Sequence, residues 1–153
     1  MKQHLGLLLF AGIFSVSCNS QDIAADKVPA VVVNALKAQF PNAVNTDWEK
    51  NGAVYEADFD AEGGADVTVQ IDASGKVLMY KTDLAAASLP TAVQTFLQNQ
   101  FKDYTADEVE KIEKGGTAYY QVELDGKGLK GLKDKKLVLT ADGHEATDIK
   151  YWD

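Results

Sequence analysis

Few side chains in this 153-residue chain could do chemistry. Apart from His4 near the start, the only histidine is His144, directly after Asp142-Gly143. A triad needs a nucleophile beside its base, and no Gly-x-Ser-x-Gly stretch supplies one, so His144 reads as an exposed turn histidine. Asp58-Phe59-Asp60-Ala61-Glu62-Gly63 has the opening of a calcium loop, with oxygen ligands followed by glycine. Its twelfth place is Val69, where a bidentate glutamate is required. Alternating carboxylates also arise wherever a strand turns one face to water, so no metal site is expected. Zinc fares worse, because its preferred cysteine and histidine ligands are missing. Paired carboxylates could cut a glycosidic bond if a pocket raised one pKa. A solvated acidic face is the simpler reading, so no catalytic residue and no cofactor are expected.

Cys18 is the only cysteine and follows a secretory leader: Lys2, an apolar run from Leu5 to Phe14 too short to span a bilayer, then Ser15-Val16-Ser17. Ser15-Val16-Ser17-Cys18 is similar to a bacterial lipobox, with Ser15 where leucine is usual. Cys18 is therefore the expected lipid attachment point, in the periplasm or cell envelope and on the outer membrane. Ordinary cleavage, leaving a soluble periplasmic or secreted protein, is the alternative. The net charge of −8 falls to −9 once Lys2 leaves with the leader, and there is no arginine. Phosphate recognition favours arginine forks and basic patches, so nucleic acid is not an expected partner. Contact with a membrane is expected only through the anchor. A lysine-rich stretch, Lys127–Lys136, reads as a solvated loop that could steer an acidic partner.

The elements that must position these residues come in two copies. Val28-Pro29 with Val32, Leu36 and Phe40 reappears 61 positions on (28 to 89, 36 to 97) as Leu89-Pro90 with Val93, Leu97 and Phe101. Such repetition marks two units sharing a surface. Each opens with a helix, over Pro29–Phe40 and Pro90–Phe101, carrying one apolar stripe. Four antiparallel strands follow in each, near Val44–Lys50, Ala53–Asp60, Asp66–Asp72 and Lys76–Thr82, then Glu108–Glu113, Ala118–Asp125, Lys135–Thr140 and Ala146–Trp152. Glu56–Asp60 matches Gln121–Asp125 at an offset of 65 (56 to 121), which implies a longer first hairpin in the second unit. The division is a leader over 1–17, a tether over 18–27, repeat one over 28–84 and repeat two over 85–153. With 46% apolar residues a core can form without disulfides.

Strand alternation sorts the faces. Tyr55, Ala57, Phe59, Val67, Val69 and Ile71 point to the helix, and Glu56, Asp58, Asp60, Thr68 and Gln70 point away. The same rule sends Tyr120, Val122 and Leu124 inward and Tyr119, Gln121 and Glu123 outward. If Tyr151 goes to the core, Trp152 stays outside. Trp48 matches Val109 and belongs to the core.

Leu89-Pro90, Phe40-Pro41-Asn42-Ala43, Trp48, Tyr55–Phe59 and Ile71–Gly75 resemble the PepSY-like, beta-lactamase-inhibitor-protein-like periplasmic domains of Bacteroidetes-type bacteria. The resemblance implies an α+β fold of two tandem helix-plus-antiparallel-sheet repeats, with the sheets joined into one curved surface and helices on one face. In the inhibitor behind the family name, the concave surface clamps an enzyme. Neither repeat here contains a cysteine, unlike that stapled inhibitor, so beta-lactamase is not implied as a target. The expectation is a monomeric, non-enzymatic protein that binds a protein or peptide in the envelope through Glu56, Asp58, Gln70, Tyr119, Gln121, Glu123 and Trp152. The alternative is a small-ligand-binding or carboxylate-based hydrolytic domain in the cleft between repeats.

Overall fold

The structure, a computed structural model, describes residues 20–126 and 133–153. The chain runs β1 (Gln21–Asp22), a 3-10 turn (Ala25–Lys27), α1 (Ala30–Gln39), β2 (Val44–Asn51), β3 (Val54–Asp60), β4 (Asp66–Asp72) and β5 (Val77–Asp83). A second 3-10 turn (Ala86–Ser88) leads to α2 (Thr91–Gln100), β6 (Thr105–Lys114), β7 (Thr117–Asp125) and β8 (Lys135–Thr140). All eight strands join one antiparallel sheet in chain order.

Both helices start from a proline whose extended ψ (138° and 143°) makes it the cap rather than the first helical residue. Pro29 and Pro90 lack an N–H to satisfy, and their carbonyls accept the first helical bonds, from Val32 and Val33 and from Gln94. Each helix lays its stripe on the sheet: Val32 and Leu36 join Trp48, Tyr55, Phe59, Val69 and Ile71, while Val93 joins Val109, Val122, Leu124 and Leu139. Burying such a side chain contributes about 1.5–3 kcal/mol. Phe40 and Phe101 close the two helices at equivalent positions against different aromatic partners, 5.0 Å from Phe59 and 5.9 Å from Tyr104.

A register shift interrupts the first hairpin of each unit at matching places, between Val44 and Asp47 and between Ala106 and Glu108. As the offset implied, the second unit's hairpin is longer, with strands of 10 and 9 residues against 8 and 7. The last tight turn of each unit abuts the first turn of its own helix. A Cβ on Gly75 would lie 2.8 Å from Val31 Cγ2, and one on Gly143 would lie 2.7 Å from the Ala92 carbonyl oxygen. Val31 and Ala92 correspond at the offset of 61, so the same close approach is made twice.

Two expected elements differ. The segment up to Lys27 is no free tether, because Gln21–Asp22 pairs with Glu49–Lys50 and Ile23 packs on the core. The strand expected over Ala146–Trp152 is absent. Ala146 donates to the Val138 carbonyl, and Leu139 bridges Glu145, after which the chain leaves the sheet. β5, its counterpart in the first unit, is paired on both sides, by β4 and β6, whereas the described residues after Ala146 pair with no strand. The free segment instead folds across the helix-free face, where it buries apolar surface.

Candidate functional site: the helix-free face

Antiparallel partners point the same way, so each ladder marks one face. Phe59, Val67, Thr82, Lys111, Tyr120 and Leu139 form a row from β3 to β8 on the helix side. One residue along, Asp47, Asp58, Thr68, Lys81, Ile112, Tyr119 and Thr140 form the row on the other side. This second face has no helix, and it divides into a covered and an uncovered part.

The C-terminal segment covers β5–β8. Ile149 packs on Ile112, Tyr119 and Val138, with Met79, Ala146 and Tyr151 at the margin. Polar contacts then fix both the main chain and the side chains of the segment. The Trp152 N–H donates to Gln121 Oε1 (3.1 Å), and the Trp152 carbonyl accepts from Gln121 Nε2 (2.9 Å) and Lys81 Nζ (3.2 Å). Lys114 donates to the Asp148 carbonyl (3.3 Å), and the Tyr119 hydroxyl donates to Asp148 Oδ2 (2.6 Å). That last bond holds the Tyr119 pKa up and the Asp148 pKa down.

Beneath Trp152 lies a buried polar group that sequence reasoning missed. Glu110, only 4% exposed, pairs with Lys81 at 2.9 Å and accepts from Gln121 Nε2. The Lys81 ammonium also sits 5.3 Å from the Trp152 ring centre. A buried charge is tolerated only when paired and hydrogen-bonded, and here both conditions hold.

The indole N–H of Trp152 reaches across to Glu56 Oε2 on β3 (3.0 Å), while its main chain is held by Gln121 on β7. Those strands stand four spacings apart, about 19 Å in a flat sheet. Side chains rise nearly perpendicular to a sheet, so one tryptophan can join them only where the sheet curls toward this face.

Of the residues expected to be exposed here, Tyr119 (7% exposed), Gln121 (1%) and Trp152 (7%) are buried. Their outward direction follows the alternation, but the C-terminal segment covers them, and Trp152 is part of the cover. Glu56, Asp58, Gln70 and Glu123 are half-buried and lie on this face as expected. Tyr120 packs at the edge of the second helix-side core, while Tyr151 packs on the opposite, covered side.

The uncovered part spans β2–β4 and is acidic. Asp58 accepts from Thr68 Oγ1 (2.6 Å), Asp60 from Asn45 Nδ2 (2.6 Å) and Glu56 from Gln70 Nε2 (2.8 Å). Asp58 and Asp60 are thus strand residues with partners rather than ligands of a calcium loop. No group of three metal-ligating side chains converges among the described residues. Burial raises the Glu56 pKa, and the nearby Asp58 and Glu49 charges raise it further against the lowering effect of its two hydrogen bonds. Asp83 and Glu108 are raised in the same way, by burial first and then by Glu110. His144 sits exposed in its turn, 3.2 Å from Asp142. Cys18, Lys127 and Lys130 lie outside the described residues.

A duplicated helix-and-hairpin unit that shares one sheet and leaves one face free of helices defines a class, and comparison with known proteins identifies it. The chain belongs to the beta-lactamase-inhibitor-like, PepSY-like family, whose model matches it twice, over residues 14–79 and 72–143. Among solved structures it is similar to a BLIP-like protein of Bacteroides fragilis, at 28% identity and TM-score 0.65 over 81% of this chain and 92% of that one. A DUF2874 family protein of Bacteroides uniformis (24%, 0.70, 78% and 86%) and another of Bacteroides ovatus (21%, 0.70, 80% and 87%) share the fold. No curated protein matches the sequence.

Proposed function

We propose that the chain is an exported, non-enzymatic protein of the bacterial periplasm or cell envelope that binds another protein or a peptide through the uncovered part of its helix-free face. The carrying observation is the broad polar surface over β2–β4, where Glu56, Asp58 and Gln70 stand in paired ladder positions. Tyr119, Gln121 and Trp152 contribute from behind, by holding the C-terminal segment that borders this surface, and Glu123 lies at its far margin. Docking there is steric: a sheet face curled toward the partner covers part of it, which suits an inhibitor or an adaptor. Fold alone does not name the partner. A hydrolytic reading would lean on Glu56, the half-buried carboxyl with a raised pKa. Its bonds to Gln70 and Trp152 suit a structural duty better.

The lipid-anchor reading of Cys18 gains a geometric consequence. Two residues separate Cys18 from Gln21, the first residue paired in the sheet, and the three steps between them span at most about 11 Å. An acylated Cys18 would therefore hold the β1–β2 edge against the membrane, with the uncovered face beside it. Mass spectrometry of the mature N-terminus decides: a diacylglyceryl mass on Cys18 supports the anchor, and an unmodified N-terminus elsewhere removes it.

A photo-crosslinking side chain at Thr68, in the centre of the face, tests the docking reading in native envelopes. The expected result is a discrete adduct that is missing when the crosslinker replaces Asn34 on the exposed side of α1. Equal yields, or none from Thr68, would overturn it.

A further inference from the structure

The two units treat equivalent acidic positions differently. Glu49 and Glu110 correspond at the offset of 61, and Asp58 and Glu123 at the offset of 65, so the same two points of the face carry carboxylates in both copies. In the second unit each has a lysine of this chain nearby: Lys81 lies 2.9 Å from Glu110 and Lys136 lies 3.8 Å from Glu123. In the first unit neither Glu49 nor Asp58 has a lysine within 4 Å among the described residues.

The first unit also sets carboxylates directly opposite one another. Asp47 faces Asp58, Glu49 faces Glu56, and Asp60 faces Asp66 across neighbouring strands. Like charges in cross-strand pairs are destabilising, so this unit keeps an arrangement that works against its own sheet. The second unit keeps one such pair, Glu108 facing Glu123, but with Lys136 3.8 Å from Glu123, and there the place of Glu56 is taken by a neutral residue, Gln121. The pairs are spread over three strands, roughly 10 Å, and no three carboxylates converge on one point. One metal ion cannot serve them all, whereas several cations presented at intervals can.

The other half of the face already holds a chain segment, with the main chain gripped at Trp152 by Gln121, the residue equivalent to Glu56. Trp152 ends at Glu56 itself, so the covered and uncovered halves are continuous.

We propose that the uncovered face over β2–β4 takes an extended segment of a partner protein bearing lysine or arginine side chains, which provide in trans the counter-charges that Lys81 and Lys136 provide to the carboxylates of the second unit. The proposal rests on the docking reading above and adds the chemistry of the partner. Glu56, Asp58 and Asp60 alternate along β3 at a two-residue repeat of about 6.7 Å, the spacing at which an extended segment presents every second side chain.

The test uses the purified full-length protein and a fluorescein-labelled ten-residue peptide of alternating lysine and threonine, followed by anisotropy at 50 mM and 300 mM salt. Binding that weakens roughly tenfold or more at the higher salt is expected, because exposed charges are screened over distances of about 10 Å. Asp47→Asn with Asp58→Asn, which keeps the acceptor for Thr68, should weaken binding about tenfold at low salt. Asp103→Asn with Glu145→Gln removes the same net charge away from the face and should change it less than twofold. Equal losses from the two double variants, or equal affinity for a glutamate-threonine peptide, would overturn the proposal, as would no binding at 50 mM salt. Thr68 adducts that persist in envelopes while the peptide ignores Asp47 and Asp58 would leave docking standing and remove its cationic partner. Peptide binding at the face without an envelope adduct would do the reverse.

Discussion

Glu56 lies where the halves of the face meet, accepting from Gln70 on one side and from the Trp152 indole on the other. Burial, then the charges of Asp58 and Glu49, hold its pKa above 4.5. The folded chain therefore keeps a proton that the unfolded chain has released. The stability tied to that proton is fully present below pH 4.5 and is lost as pH rises through the raised value. Glu56→Gln preserves an acceptor for both donors and removes the titration. We expect the fall of the urea midpoint between pH 4.5 and the raised value to flatten in this variant, and an unchanged profile would refute that assignment. Gln121 makes a complementary case, because its amide satisfies both Trp152 main-chain groups and Glu110 at once. Gln121→Ala leaves buried polar groups unpaired and should cost about 1–3 kcal/mol in urea unfolding, with faster amide exchange at Trp152. No effect on that amide would mean the C-terminal segment is held chiefly by Ile149. Period-two alternation assigned Glu56, Gln121 and Tyr119 to the correct face, since direction follows from local backbone geometry. Their exposure did not follow, since the hydrogen bonds that hold the cover on them come from residues 29 or more positions away.

At the level of elements, each unit closes by driving a glycine turn against its helix. Gly75 and Gly143 both have positive φ (86° and 82°), and both meet the helix at equivalent points. An added methyl at Gly143 strikes main-chain atoms, whereas at Gly75 its nearest contact is a valine methyl able to shift slightly. Gly143→Ala should therefore cost more than Gly75→Ala, each more than about 1 kcal/mol, as read from thermal unfolding. Equal or negligible costs would show that the turns yield freely. The helices and seven of the eight sheet strands stand close to where hydrophobic periodicity and turn residues put them. β1 was missed because two residues carry no period, and the Ala146–Trp152 strand was wrongly expected because repetition alone suggested it. A repeat copies an element reliably only where the copy finds the same neighbour.

On the scale of the whole molecule, the junction between units is a strand pair rather than a linker. Tyr80 to Asp83 on β5 pair with Glu113 to Glu110 on β6, and the C-terminal segment ties β7 back to β3. Such coupling predicts one cooperative unfolding transition. Trp48 reports on the first unit's core and Trp152 on the contact between units, so Trp48→Phe and Trp152→Phe variants each leave one fluorescent reporter. Urea curves from the remaining tryptophan and from far-ultraviolet circular dichroism should coincide within each variant. Separate midpoints would show that the units fold independently.

The sequence by itself determined the α+β class, the duplication, the inward and outward sense of the strand residues and the acidity of the outer face, since all of these follow from local spacing and composition. Which part of that face is open was decided only by tertiary structure. The C-terminal segment turned from the sheet edge and buried Ile149 and Trp152 on one half. The carboxylates of the first unit were left facing water. That choice depends on contacts between residues far apart in the chain, and no local pattern encodes it.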